Sequence, residues 1–323
     1  LNKSGHKVFV LIKTKDILAD LLDESNIEYK NILQKESKKK TKLATILSVL
    51  KRDWKIFWFT LFHRIDLLTG STPHVAHIGW LLRRYSIILG EDDDAVVPQF
   101  GKITHPFAKE YLSPIVCNNG KFDKKSIKYN SYHELAYLHP NHFQADKKVV
   151  EKYFSVDSSY FILRFAKLNA YHDADIHGIN TQIASKLIEI LKPHGKVYIT
   201  SERELEPEFE PYRIQINPLD MHHVMAFAQI YIGDSQTMAA EAGVLGVPFI
   251  RFNDFVGRIG LGIRTNEVER LYSTLEDLLQ MENRKEVFEA RRQKMLSEKI
   301  DYAEFLTWFI ENYPESAASL TAK

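Results

Sequence analysis

Short, β-branched apolar runs alternate with stretches of helical apolar spacing along nearly the whole chain, and a chain so patterned has few folds open to it. Residues 8–12 form such a run, and residues 15–25 follow with Ile17, Leu18, Leu21 and Leu22 at helical spacing. The unit recurs. Residues 41–62 carry a long helical pattern, 65–68 a strand that ends at Gly70-Ser71-Thr72-Pro73, 77–84 a helix, and 86–89 a strand that ends at Gly90. Residues 107–110 and 112–116 predict one further helix and strand. The alternation resumes with strands at 160–165, 196–200, 230–232 and 248–252, separated by helical patterns at 180–191, 219–228 and 237–245. Alternation of this kind predicts an α/β fold, in which parallel sheets carry helices on both faces.

At 323 residues the chain exceeds the size of one continuous core, so two Rossmann-like domains facing a cleft are expected. Residues 117–149 are polar, rich in Asn, Lys, Tyr and His, which puts the connection in or just after them: residues 1–155 as the first domain, 156–323 as the second. The charged helical stretch at 275–312 reads as a terminal segment of the second that can pack back across both domains. Leu1 to His6 read as a helix end stopped by Gly5. A βαβ domain opens with a strand and a phosphate-facing loop before that helix, so the first strand of the N-terminal domain is expected to be missing.

Lysine and arginine total 43 against 42 for aspartate and glutamate, so no global field draws the chain to nucleic acid. The single cysteine, Cys117, has no intrachain partner, which favours a reducing compartment and a cytoplasmic location. No run of 18 apolar residues occurs, and the first residues lack a signal-peptide pattern.

Residues 231–250 place a strand end, a small polar turn and a helix start in direct succession. Gly233 allows close backbone approach, Asp234 or Ser235 suits an N-cap, and Gln236 and Thr237 open the helix. Free N–H groups and the macrodipole there favour a diphosphate. Thr237 and Glu241 stand four residues apart on one face, so a hydroxyl near phosphate and a carboxylate one turn deeper can address successive parts of one ligand. The plainer reading is a capped, small-residue helix packed tightly on its sheet.

Gly233-Asp-Ser-Gln-Thr-Met-Ala-Ala-Glu-Ala-Gly-Val-Leu-Gly-Val-Pro248 resembles the domain of unknown function 354 family, itself similar to non-hydrolysing UDP-N-acetylglucosamine 2-epimerases and GT-B glycosyltransferases. The resemblance also takes in Ser4-Gly5-His6-Lys7-Val8, Asp66-Leu-Leu-Thr-Gly-Ser71, Tyr137-Leu-His-Pro140 and the stretch from Arg164 to Asp173. It implies a GT-B fold, Ser235 on phosphate and Glu241 on ribose. Where the epimerases place an acid in a Gly-Asp-Thr turn, this chain has Gly70-Ser71-Thr72, whose hydroxyls do no acid–base work near neutral pH. Their His-Arg-Arg-Glu-Asn-like segment becomes Arg164-Phe-Ala-Lys-Leu-Asn169.

Arg164 and Lys167 are candidates to neutralise donor phosphate and the developing leaving-group charge, or form a surface loop pair. Glu91, at a strand's carboxyl end, is the candidate general base, or belongs to a solvated acidic turn with Asp92, Asp93 and Asp94. His172, Asp173, Asp175 and His177 could ligate a metal, form a turn or line the cleft; no metal or cofactor is required beyond the nucleotide sugar. Either His222 or His223 is expected near the base. Residues 35–42 hold five lysines before a helix rich in aromatics, which either docks on an anionic membrane carrying a lipid-linked acceptor or is buried. The sequence therefore predicts a nucleotide-sugar-dependent glycosyltransferase of surface-glycan synthesis acting on a glycan or lipid-linked acceptor. An epimerase-like enzyme and a silent nucleotide-sugar-binding protein are the alternatives, and nothing sets the oligomeric state.

Overall fold

The structure is a computed structural model that describes residues 1–13, 18–33, 42–155, 158–165, 178–253 and 262–321. Lys167, the cluster from His172 to His177 and residues 35–41 lie outside the described residues.

In chain order the first elements are β1 (Val10–Lys13), α1 (Leu18–Glu24), β2 (Tyr29–Leu33), α2 (Lys42–Phe62), β3 (Leu67–Gly70), α3 (Pro73–Leu82) and β4 (Tyr85–Leu89). There follow α4 (Pro98–Thr104), β5 (Glu110–Pro114), β6 (Ser126–Tyr129), α5 (Leu135–Leu138), α6 (Lys147–Val150), β7 (Tyr160–Phe165), α7 (Thr181–Leu191), β8 (Lys196–Ser201) and α8 (Met221–Ala226). The last are β9 (Tyr231–Gly233), α9 (Gln236–Val244), β10 (Phe249–Phe252), β11 (Gly262–Ile263), α10 (Val268–Gln280), α11 (Arg284–Glu298), α12 (Tyr302–Glu311) and α13 (Glu315–Thr321). A 3-10 turn at Asn2–Ser4 ends on Gly5, whose φ of 86° only glycine adopts freely.

The chain divides into two compact units, residues 1–133 with 300–323, and residues 134–299. This differs from the sequence expectation of a single cut at 155. Residues 134–155 join the second unit because their side chains are tied into it: Tyr153 Oη donates to Asp220 at 2.8 Å, and Tyr137 Oη to Glu241 at 2.9 Å. Residues 300–321 return to the first unit. Ile300 N–H donates to the Asn130 carbonyl at 3.1 Å, Tyr302 stacks on Tyr129, and Tyr313 Oη donates to Glu110 at 3.0 Å.

In the first unit β3-β4-β5-β6 form a parallel sheet and β1-β2 a separate parallel pair. Ile56 of α2 and Val75, Ala76 and Ile78 of α3 bury against Leu68 and Ile88. The expected helix at 107–110 is absent: α4 ends at Thr104, Pro106 cannot continue it, and β5 begins at Glu110.

The α2–α3 contact is fastened by charge. Asp53 accepts from His74 Nδ1 at 2.8 Å and from His77 Nδ1 at 3.0 Å, while His77 Nε2 donates to the Ile103 carbonyl at 2.8 Å. Acceptors at both nitrogens favour the protonated His77 ring, and its hydrogen bond to Asp53 raises its pKa above the ordinary histidine value. Burial alone would raise the Asp53 pKa, but the hydrogen bonds from both histidines hold it below the ordinary carboxylate value. Because the folded pKa of His77 is raised, its contribution to stability is complete below about pH 6.5, the unfolded value, and is lost as pH rises through the folded one. The melting temperature is therefore expected to fall as pH rises above about 6.5. Asp53→Asn should flatten that part of the profile, and an unchanged profile would refute the assignment.

The second unit has one five-stranded parallel sheet in the order β11-β10-β9-β7-β8. Phe161, Leu163 and Phe165 of β7 and Ile232 of β9 lie under Leu187 and Leu191 of α7 and Leu271 and Leu275 of α10, all fully or almost fully buried. The strand order reverses between β7 and β9, which makes the carboxyl ends of those two strands the switch point where open α/β sheets take ligands.

Candidate functional site

At the switch point Arg164 of β7 and Gly233 of β9 are register partners, and Gly233 pairs in turn with Arg251 of β10. A row of arginine, glycine, arginine thus crosses three strand ends. The glycine is required sterically: a Cβ at position 233 would lie 2.5 Å from the Tyr231 hydroxyl and 2.9 Å from Arg164 Cβ. Tyr231 is fully buried, and that burial pushes its pKa far above the ordinary tyrosine value, so it stays a neutral O–H donor. Neither the Tyr231 hydroxyl nor Arg164 Nε has a hydrogen-bond partner among the described residues.

Beyond Gly233 the chain turns through buried Asp234 into α9. Asn253 Nδ2 donates to the Asp234 carbonyl at 2.9 Å and is itself held by Arg251, whose guanidinium donates to Asn253 Oδ1 at 3.1 Å. This clamp fixes the turn from below. Ser235 caps α9, its Oγ accepting from Met238 N–H at 3.5 Å. The first turn contains no acid, and Gln236 and Thr237 are exposed, so the positive end of the helix is left open to solvent.

Glu241, one turn further, is buried in spite of its charge. Its Oε1 accepts from Tyr137 Oη at 2.9 Å and faces His222 Nε2 at 3.1 Å; Oε2 has no partner among the described residues. His222 therefore braces the carboxylate. His223 is engaged elsewhere, its Nδ1 accepting from Asp146 N–H at 3.0 Å, with its ring 4.8 Å from Phe143.

Arg164 stands beside Gly233 as its strand position implies, but its guanidinium is paired closely with Glu202. The sequence reading singled out neither Glu202, nor the role of Tyr137, nor the Arg251–Asn253 clamp. Arg251 carried a signal, a charged residue in an apolar strand followed by Asn253. Tyr137 lies 104 residues from its partner, and no local pattern links them.

In the first unit Glu91 follows β4 and accepts from His133 Nδ1 at 2.7 Å. That hydrogen bond holds the Glu91 pKa below the ordinary carboxylate value, so the group is ionised. Cys117 Sγ sits 3.1 Å from the Glu91 carbonyl, with its thiol pushed up to about 11 by burial. Among the described residues Asp53, His74 and His77 are the group whose ligating atoms, within 4.8 Å of one another, could hold a metal ion, and the hydrogen bonds above already account for them.

The family described as Protein of unknown function (DUF354) matches residues 75–305. The chain belongs to that family. No curated protein matches it. Among solved structures, UDP-GlcNAc 2-epimerase from Neisseria meningitidis, bound to UDP-GlcNAc, is 14% identical, with 97% of this chain and 91% of that one covered and a TM-score of 0.61. Spinosyn forosaminyltransferase is 10% identical, covering 100% of this chain and 93% of that one with a TM-score of 0.59. Anabaena HepE in complex with UDP and glucose is 13% identical, covering 94% and 91% with a TM-score of 0.57. This DUF354 chain shares the α/β fold of those GT-B proteins, with parallel sheets in both units.

Proposed function

We propose that the chain is a nucleotide-sugar-dependent glycosyltransferase, with the second unit holding the donor. The carrying observation is the row of Arg164, Gly233 and Arg251 at the switch point, immediately before the positive end of α9, where Ser235 takes up one N–H and Gln236 and Thr237 are exposed. In this reading the diphosphate lies on the backbone from Gly233 to Thr237, where N–H groups and the macrodipole favour it, with Arg164 and Lys167 taking up charge on the leaving group. Glu241 Oε2 accepts the ribose hydroxyls while Tyr137 and His222 hold Oε1. Asp234 and Gln236 shape the turn. Glu91, kept ionised by His133, is the base for the hydroxyl of a glycan or lipid-linked acceptor in surface-glycan synthesis, carried out in the cytoplasm. The fold shared with structures whose names include UDP-GlcNAc, UDP and glucose supports a UDP-linked donor.

An epimerase reading draws on the same fold, but Thr72 Oγ1 is committed to capping α3, accepting from His74 N–H at 3.2 Å, and Ser71 offers a hydroxyl where an acid is needed. Products separate the readings. With UDP-GlcNAc, a transferase releases UDP when acceptor is added, an epimerase forms a C2 epimer without it, and a binding protein does neither. UDP at about 100 times its Kd should stabilise the protein by about 2.7 kcal/mol, a melting shift of several degrees. If no nucleoside diphosphate shifts the melting temperature, the donor site is refuted.

A further inference from the structure

Helix α2 is apolar on two opposite sides. One side, with Ile56 and Thr60 at its centre, is buried in the first unit. On the other, Leu47, Leu50, Trp54, Trp58 and Leu61 recur at spacings of three and four residues and form one stripe. They are exposed, Trp54 at 63% and Leu50 at 57%, and neighbouring Phe62 at 75%. At about 1.5 Å per residue the stripe runs for about 20 Å. Its rings touch in sequence: Trp54 meets Trp58 edge-on at 5.5 Å, and Trp58 stacks on Phe62 at 5.4 Å.

The charge on this helix is mostly positive. Lys51, Arg52 and Lys55 stand against a single acid, Asp53, which is already held by His74 and His77, and Lys55 Nζ donates to the Ile32 carbonyl at 2.8 Å. The whole chain has a net charge of only +1, so α2 is locally basic. Exposed Lys51 flanks the stripe. No helix among the described residues is long and apolar enough to cross a membrane.

We propose that α2 lies in the plane of an anionic lipid bilayer, with Trp54 and Trp58 in the headgroup boundary and Lys51 on lipid phosphate. An amphipathic face with tryptophan at its centre and lysine at its edge suits that boundary, where one end of the indole is apolar and its N–H is wet. Charge decides against a second copy of the chain, because two such stripes face to face would bring like-charged lysines together. The inference concerns a surface of the first unit and does not rest on the donor site in the second.

The test is flotation of the full chain with vesicles of phosphatidylcholine alone and of phosphatidylcholine with phosphatidylglycerol. The chain should float with the anionic vesicles at low salt, with a blue shift in tryptophan emission, and at least ~10-fold less with the neutral ones. Trp54→Ser/Trp58→Ser should lose ~10-fold or more of that binding while remaining folded by circular dichroism, since Trp54 is mostly exposed and the ring contacts of Trp58 are to its own helix. Lys51→Glu should weaken binding to the anionic vesicles only. The proposal is overturned if the parent does not float with anionic vesicles, if the tryptophan variant floats equally well, or if the parent is a dimer that the tryptophan variant dissociates. The UDP melting shift, measured on the same variants, reports the donor site separately.

Discussion

Glu241→Ala is expected to weaken UDP binding by about 100-fold, read by titration calorimetry. A hydrogen bond to a charged group contributes about 1.5–3 kcal/mol, and a ribose diol offers two to one carboxylate. The parent site meets the cost of burying that charge with Tyr137 and His222 on Oε1, which leaves Oε2 for the ligand. Tyr137→Phe removes only the brace and should cost roughly one hydrogen bond, about 1 kcal/mol or several-fold in affinity. Affinity within threefold of the parent for Glu241→Ala would remove Glu241 from the site, whatever the fold.

Gly233→Ala should both destabilise the second unit and impair nucleotide binding. The new methyl group would lie 2.5 Å from the Tyr231 hydroxyl and 2.9 Å from Arg164 Cβ. Overpacking of this kind costs about 1–3 kcal/mol. The nearest obstacle is a single hydroxyl, so Tyr231→Phe in the same chain should restore part of the lost stability. Tyr231→Phe alone should be close to neutral, because the hydroxyl it removes is buried with no partner among the described residues. Denaturant unfolding of the three variants forms a double-mutant cycle; additive losses would show that the two side chains do not meet.

The second unit was legible because its strands are central and apolar. The strand expected at 160–165 is β7, and the helix expected at 237–245 is α9, shifted by one residue. Its chemistry was legible as far as it was local: a strand end, a glycine, a cap and a carboxylate one turn on. What escaped needs distance. Tyr137 reaches Glu241 and Arg251 clamps Asn253 through register and packing, which the periodicity of a single segment does not encode. The same holds for Glu91, where the strand end was visible but His133, 42 residues on, was not. Short elements such as α5 and α6, four residues each, carry too few apolar positions to show a period. Division of the chain was misplaced for a related reason, since composition marks where a segment is polar and not which core its few buried side chains join.

Residues 300–321 complete the first unit only after the whole second unit has intervened. During synthesis from the amino end, therefore, the unit that begins first finishes last. Residues 134–299 can leave the ribosome and fold while Tyr129 still lacks Tyr302 and Glu110 still lacks Tyr313. In that interval the nascent first unit keeps surface uncovered that the last helices later hide.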